Sequence, residues 1–134
     1  MTGQVQVQMY MDHLTHLGFL PELVGDKDIR FKVEGGLYQI LVDLKDPDFF
    51  RLVYPNFRKI GDANDRARVE AAANHASAGT LVAKVYLTES HVSAAVELFC
   101  TPPEAFRPVF ERSLGVLQYA VDQCKQYLAG KNTT

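Results

Sequence analysis

The run of apolar and polar positions divides the chain into helical and extended segments. From Val5 to Leu17, the residues Val7, Tyr10, Met11, Leu14 and Leu17 recur at steps of three and four, the spacing of one helix face. Gly18 follows as a stop signal. After the polar connection PELVGDKD, the segment IRFKVE sets Ile29, Phe31 and Val33 against Arg30, Lys32 and Glu34, the period-two pattern of a half-buried strand. Gly35-Gly36 predicts a two-residue hairpin turn, because glycine accepts positive φ. In that register Val33 faces Tyr38, Phe31 faces Ile40 and Ile29 faces Val42. KDPD predicts a type I turn with Asp46 and Pro47 at its first two positions. FFRLVY predicts a third strand, which Pro55 ends near Tyr54 or confines to a sheet edge, since proline cannot donate to a ladder.

A helix is predicted from about Asn64 to Ala78, with Asp62 or Asn64 as N-cap and Gly79 as stop. TLVAKVYLT and HVSAAVELFC alternate as two further strands joined by Glu89-Ser90. This pairs Leu87 with Val92, Val85 with Ala94, Ala83 with Val96 and Leu81 with Leu98. Thr101, Pro102 and Glu104 have the spacing of an N-cap, a first helical residue and a capping box. A last helix is predicted from there to Ala129, with Phe106, Phe110, Leu114, Leu117, Val121, Cys124 and Leu128 as its apolar stripe. Pro108 imposes a kink or a broken first turn on it.

The predicted order is α-β-β-β-α-β-β-α. Hairpin-linked strands with one apolar face each imply an α+β fold in which helices cover one side of an antiparallel five-stranded sheet. The pattern leaves the strand order open. No linker, repeat or low-complexity block divides the chain, so residues 1–134 are expected to form one domain, with a frayed tail, GKNTT, from about residue 130.

Composition narrows the functional classes. Hydrophobic residues make up 47% and charged residues 22% of the 134, an ordinary globular balance. Fourteen Lys and Arg against sixteen Asp and Glu leave a net charge of -2, without the basic excess that phosphate neutralisation needs, so no nucleic acid is expected as partner. No signal-like leader and no apolar run of membrane-spanning length are present, and a cytoplasmic protein with no membrane partner is expected. Cys100 and Cys124 both fall on apolar patterns, which suits buried free thiols better than a disulfide.

Candidate chemistry is sparse. In VEAAANHASAG, the residues Val69, Ala72, Ala73 and Ala76 share a helix face, which leaves Asn74 toward solvent and His75 at the boundary. His75 is the residue on which the alternative function rests: a small-ligand binder or enzyme with a site between helix and sheet. His13 and His16, with Asp12, have the helical proximity of a partial metal site. No further ligands accompany them, and they read as the polar back of the first helix; no metal or other cofactor is expected. GxSxG, phosphate-loop and dinucleotide motifs are absent, and Asp43 and Glu97 are an isolated pair of carboxylates on outer strand positions. No catalytic residue is assigned, and the chain is expected not to be an enzyme.

The outer sheet positions, among them Arg51, Val53, Tyr86, Glu97 and Phe99, mix aromatic, aliphatic and charged side chains, a composition suited to a moderately polar interface. The element order, the LGF that ends the first helix, GGLYQILVDL, and the Asn-bearing helix running into AGTLVAKVYL together resemble the YbjN family over roughly Leu17 to Leu128. Members of that family are described as bacterial sensory transduction regulators with a fold similar to type III secretion chaperones. The resemblance implies a non-enzymatic, protein-binding module, chaperone-like or regulatory, that forms a homodimer and binds a polypeptide client or regulatory partner. Leu41, Val53, Tyr86 and Phe99 are its candidate protein-binding residues. A third reading has the last helix pack on a partner helix through Tyr127.

Overall fold

A computed structural model describes residues 1–130. The tail expected from about residue 130 otherwise falls on 131–134, outside the described residues. The elements are α1 (Gly3–His16), β1 (Glu22–Val24), β2 (Asp28–Val33), β3 (Gly36–Ile40), β4 (Phe49–Lys59), α2 (Ala63–Ala78), β5 (Ala83–Leu87) and β6 (His91–Phe99). A 3-10 turn at Pro103–Phe106 then leads into α3 (Arg107–Leu128). The fold is α+β, and its sheet is antiparallel with six strands in the order β1-β2-β3-β4-β6-β5. The expected five strands become six because Glu22–Val24, within the segment read as a polar connection, pairs with Asp28–Arg30. Three residues are too few to show an alternation.

One core forms where the apolar stripes of the helices meet one face of the sheet. Ile29, Phe31, Ile40, Phe50 and Leu52 from the strands join Tyr10 and Leu14 of α1, Val69 and Ala72 of α2, and Phe110 and Leu117 of α3. The small residues Ala72, Ala73 and Ala76 are buried and let the α2 backbone lie close to its neighbours. Val53 and Ala95, which point to the other side, are outside this cluster.

The β5–β6 hairpin has the predicted pairs Ala83–Val96, Val85–Ala94 and Leu87–Val92, but β5 begins only at Ala83, and Leu81 is 69% exposed rather than opposite Leu98. The β2–β3 hairpin is displaced by two residues from the prediction: Ile29 pairs with Ile40 and Phe31 with Tyr38. Its turn is Glu34-Gly35, at φ +48° and +83°, the double positive-φ geometry of a type I′ turn. Asp46 and Pro47 do open a turn, closed by the Phe49 N–H donating to the Asp46 carbonyl at 3.1 Å.

Pro55 neither ends β4 nor puts it at an edge: β4 lies between β3 and β6 and continues to Lys59. A register shift between Tyr54 and Arg58 accommodates the proline. Asn56 takes φ +51° there, and its N–H donates to the hydroxyl of buried Ser93 at 2.9 Å, so the backbone donor displaced by the bulge keeps a partner.

Asp62 caps α2, its carboxylate accepting the Asp65 N–H at 2.8 Å, and Gly79 ends the helix. Asp65 in turn accepts two bonds from Arg58, at 2.9 and 3.0 Å, and one from the Gly61 N–H at 2.7 Å. The Arg58 guanidinium and then the Gly61 amide hold its carboxyl well below the usual range. The capping box predicted at Thr101 does not form. The Thr101 hydroxyl donates instead to Asp48 at 2.9 Å, and the last helix is broken into the 3-10 turn and α3, with Pro108 in the first α-helical turn where its missing N–H costs nothing.

Candidate functional site

The sheet face away from the helices is uncovered among the described residues, and strand register sets what it displays. Side chains directly opposite one another on adjacent strands share a face, so Arg51–Glu97, Val53–Ala95, Lys84–Ala95 and Phe49–Phe99 all lie on it. At its centre Val53 and Ala95 are 2% and 0% exposed. Val53, one of the four residues expected to contact a partner, therefore has no surface to offer and acts as a floor. The other three are placed to do so: Leu41 and Tyr86 are half-buried and Phe99 is 78% exposed.

Two structures stand on that floor. The first is a charged row. Glu97 forms an ion pair with Arg51, whose Nε lies 3.0 Å from its carboxylate, and also pairs with Lys84. Arg51 Nη2 reaches the Tyr86 hydroxyl at 3.4 Å, and the Lys84 ammonium lies 5.4 Å from the centre of the Tyr86 ring. The second is aromatic. Phe99 and Phe49, at the ends of β6 and β4, hold their rings 5.8 Å apart, and Phe49 also lines an open cleft of about 470 Å³ with Leu41, Leu44, Lys27 and Arg51. The charges are largely satisfied among themselves, while the aromatic end is left to solvent. Such a surface offers apolar contact at one end and a polar rim beside it, the distribution found in protein interfaces.

The other sequence candidates do not converge. Asn74 is exposed, and His75 is half-buried with its ring 5.0 Å from that of Tyr127 on α3. His75 thus belongs to the α2–α3 seam, and Tyr127 is occupied within its own chain. Asp43 accepts the Lys45 and Asp46 N–H groups at 2.9 and 3.1 Å, and Glu97 is bound to its two cations, so these carboxylates form no pair. Among the described residues no three His, Cys, Asp or Glu side chains gather as metal ligands. Both cysteines are buried free thiols, and burial pushes each upward in pKa.

His16 and Asp12 are exposed, but His13 departs from the polar back expected of it. Its ring stands edge-on to Phe106 and Phe110, at 5.0 and 5.7 Å, and its Nε2 is enclosed without a hydrogen-bond partner among the described residues. Burial, then the positive charges of Arg107 and His16, lower its pKa, with Glu111 opposing. A histidine held neutral by folding contributes stability that is complete above its unfolded value of about 6.5 and is lost as pH falls through the lower folded value. The urea midpoint of the wild type is therefore expected to drop as pH falls below about 6.5, and His13→Gln to flatten that slope. An unchanged slope in the variant would assign the pH dependence elsewhere.

Sequence periodicity counts Leu81 among core positions and puts Val82 on the outer sheet face, so it misses Leu81 as a surface feature. Leu81 and Val82 are 69% and 58% exposed at the entrance to β5. The only signal available was the glycine and threonine before them, which interrupt the strand pattern. No helix among the described residues is long and apolar enough to cross a membrane. Comparison of the chain with the models of known protein families, with curated proteins and with solved structures finds no match in any of the three.

Proposed function

We propose that this chain is a non-enzymatic protein-binding module, chaperone-like or regulatory, which acts as a homodimer and takes a polypeptide partner on the open face of its sheet. The observation that carries this reading is Phe99, 78% exposed and ring-paired with Phe49 beside the Leu41 cleft. A large aromatic residue left in water forgoes burial worth about 1.5–3 kcal/mol, which a partner surface recovers. The neighbouring Arg51–Glu97–Lys84 row supplies polar groups that fix the orientation of a bound segment. The resemblance to the YbjN family supports the same reading.

The test is capture of partners by the tagged protein from its native host, alongside Phe99→Lys and the double variant Leu41→Lys, Tyr86→Lys. Phe99 contributes little to the core, so Phe99→Lys is expected to keep the wild-type melting temperature while losing a stoichiometric polypeptide partner. Retention of the same partner by both variants would remove the open face from the reading. Recovery of no partner by the wild type would remove the polypeptide client altogether.

A further inference from the structure

A second apolar surface lies away from the open face, where α3 meets the segment entering β5. Helix α3 turns Phe110, Leu114, Leu117 and Val121 into the core. On its outer side Arg112, Gly115 and Tyr119 follow one another at steps of three and four and form a continuous exposed stripe. Two grooves of about 230 and 450 Å³ run along this stripe, bounded by Leu81 and floored by Val116.

Three features of the stripe have no explanation inside the chain. Gly115 sits in mid-helix, where glycine is among the least favourable residues, yet a Cβ there would meet nothing within 4 Å. Arg112 makes no hydrogen bond or ion pair among the described residues, and Tyr119 is 52% exposed. Val82, a β-branched residue, is held at φ +51° in a tight turn closed by the Ala83 N–H donating to the Leu81 carbonyl at 2.6 Å. That strained turn presents Leu81 and Val82 as a knuckle beside the groove, the kind of backbone outlier that persists where a surface is used.

A single occupant accounts for all three. A two-fold interface requires one patch that is complementary to itself. If two α3 helices cross antiparallel with the axis between Gly115 and Val116, the Arg112 of each copy falls opposite the partner subunit's Tyr119. The unpaired guanidinium then lies over a ring, and like charges stay apart. Gly115 falls at the crossing point, where the missing side chain allows the two backbones to approach. The Leu81–Val82 knuckles close the seam at each side and bury their apolar surface.

We propose that the Arg112–Gly115–Tyr119 stripe of α3, flanked by Leu81 and Val82, is the seam on which a second copy of this chain docks, with the two α3 helices antiparallel. This rests on the homodimer reading above and adds where the second copy sits, leaving the open sheet face free.

Sedimentation equilibrium tests it. The wild type is expected at twice the 15.0 kDa chain mass, and Gly115→Glu at once that mass with its thermal stability retained, since the added side chain meets open space within the monomer. Arg112→Glu should weaken dimerisation about tenfold, and Arg112→Glu combined with Tyr119→Lys should restore it. Under mild oxidation Gly115→Cys should form a disulfide-linked dimer while Lys32→Cys on the open face does not; buried Cys100 and Cys124 do not compete. Persistence of the dimer in Gly115→Glu overturns the seam. Its loss in Phe99→Glu instead would move the second copy to the sheet, overturning the seam while leaving the homodimer. A wild type that is monomeric up to its solubility limit overturns both.

Discussion

Replacing Phe106 with alanine is expected to lower the unfolding free energy by about 3–5 kcal/mol, the usual cost of emptying a fully buried aromatic site. Phe106 is 0% exposed and ends the 3-10 turn just before α3. Its ring stands 4.7 Å from that of Tyr10, 5.0 Å from His13, 5.7 Å from Phe50 and 6.3 Å from Phe110. One side chain therefore fills the space shared by α1, β4 and α3. The partners come from three separate elements fixed by their own contacts, so the cavity has little scope to collapse, and the upper part of the range is expected. Urea denaturation should show a lower midpoint at an unchanged slope. Phe99→Ala, at the other extreme of exposure, should stay within about 0.5 kcal/mol of wild type. Equal costs for the two would show that the Phe106 cluster does not carry the core.

The second large effect is expected at Ser77. Strand β5 is an edge, and its Val85 N–H and C=O point away from β6. The Ser77 hydroxyl of α2 satisfies both, accepting from the Val85 N–H at 2.8 Å and donating to its carbonyl at 3.3 Å. Ser77→Ala leaves two backbone groups unpaired at a partly buried place, for about 1–3 kcal/mol of stability. It also restores an open edge that another strand can extend, so light scattering should show concentration-dependent association beyond the dimer that the wild type lacks. Ser77→Thr keeps the hydroxyl and should reverse most of both effects. A Ser77→Ala protein that is as stable and as monodisperse as wild type would mean that water replaces the hydroxyl without loss.

Where apolar residues repeat over several turns, the pattern and the structure agree. α1, α2 and the part of the β5–β6 hairpin from Ala83 onward lie where periodicity puts them. The failures have a common cause, in that they depend on groups that periodicity does not register. Sliding β2 against β3 by two residues keeps every side chain on its face, so alternation cannot distinguish Gly35-Gly36 from Glu34-Gly35 as the turn. Pro55 reads in the sequence as the end of a strand because the rescue comes from Ser93, far along the chain. Thr101 had a capping-box sequence, but Asp48 took its hydroxyl. At the candidate site, alternation placed Leu41, Tyr86 and Phe99 on the open face and did so for Val53 as well. Which of them reach solvent depended on the neighbouring strands: Val53 is flanked by β3 and β6, whereas Phe99 ends its strand.

The central seam of the sheet also bears on how the chain reaches this state. The β2–β3 and β5–β6 pairings each close a loop of two residues, but β4 and β6 meet only after the chain has passed through α2 and β5, joining Phe49 to Phe99 and Lys59 to His91. Closing so long a loop costs more chain entropy than closing a hairpin, and it has to be met before the contacts of the seam give anything back. Of the strands paired in the finished sheet, these two are thus the farthest apart in sequence. Local hairpins are therefore expected to form early on either side, and the joining of β4 to β6 to set the folding rate, which mutations in the β4–β6 seam should slow.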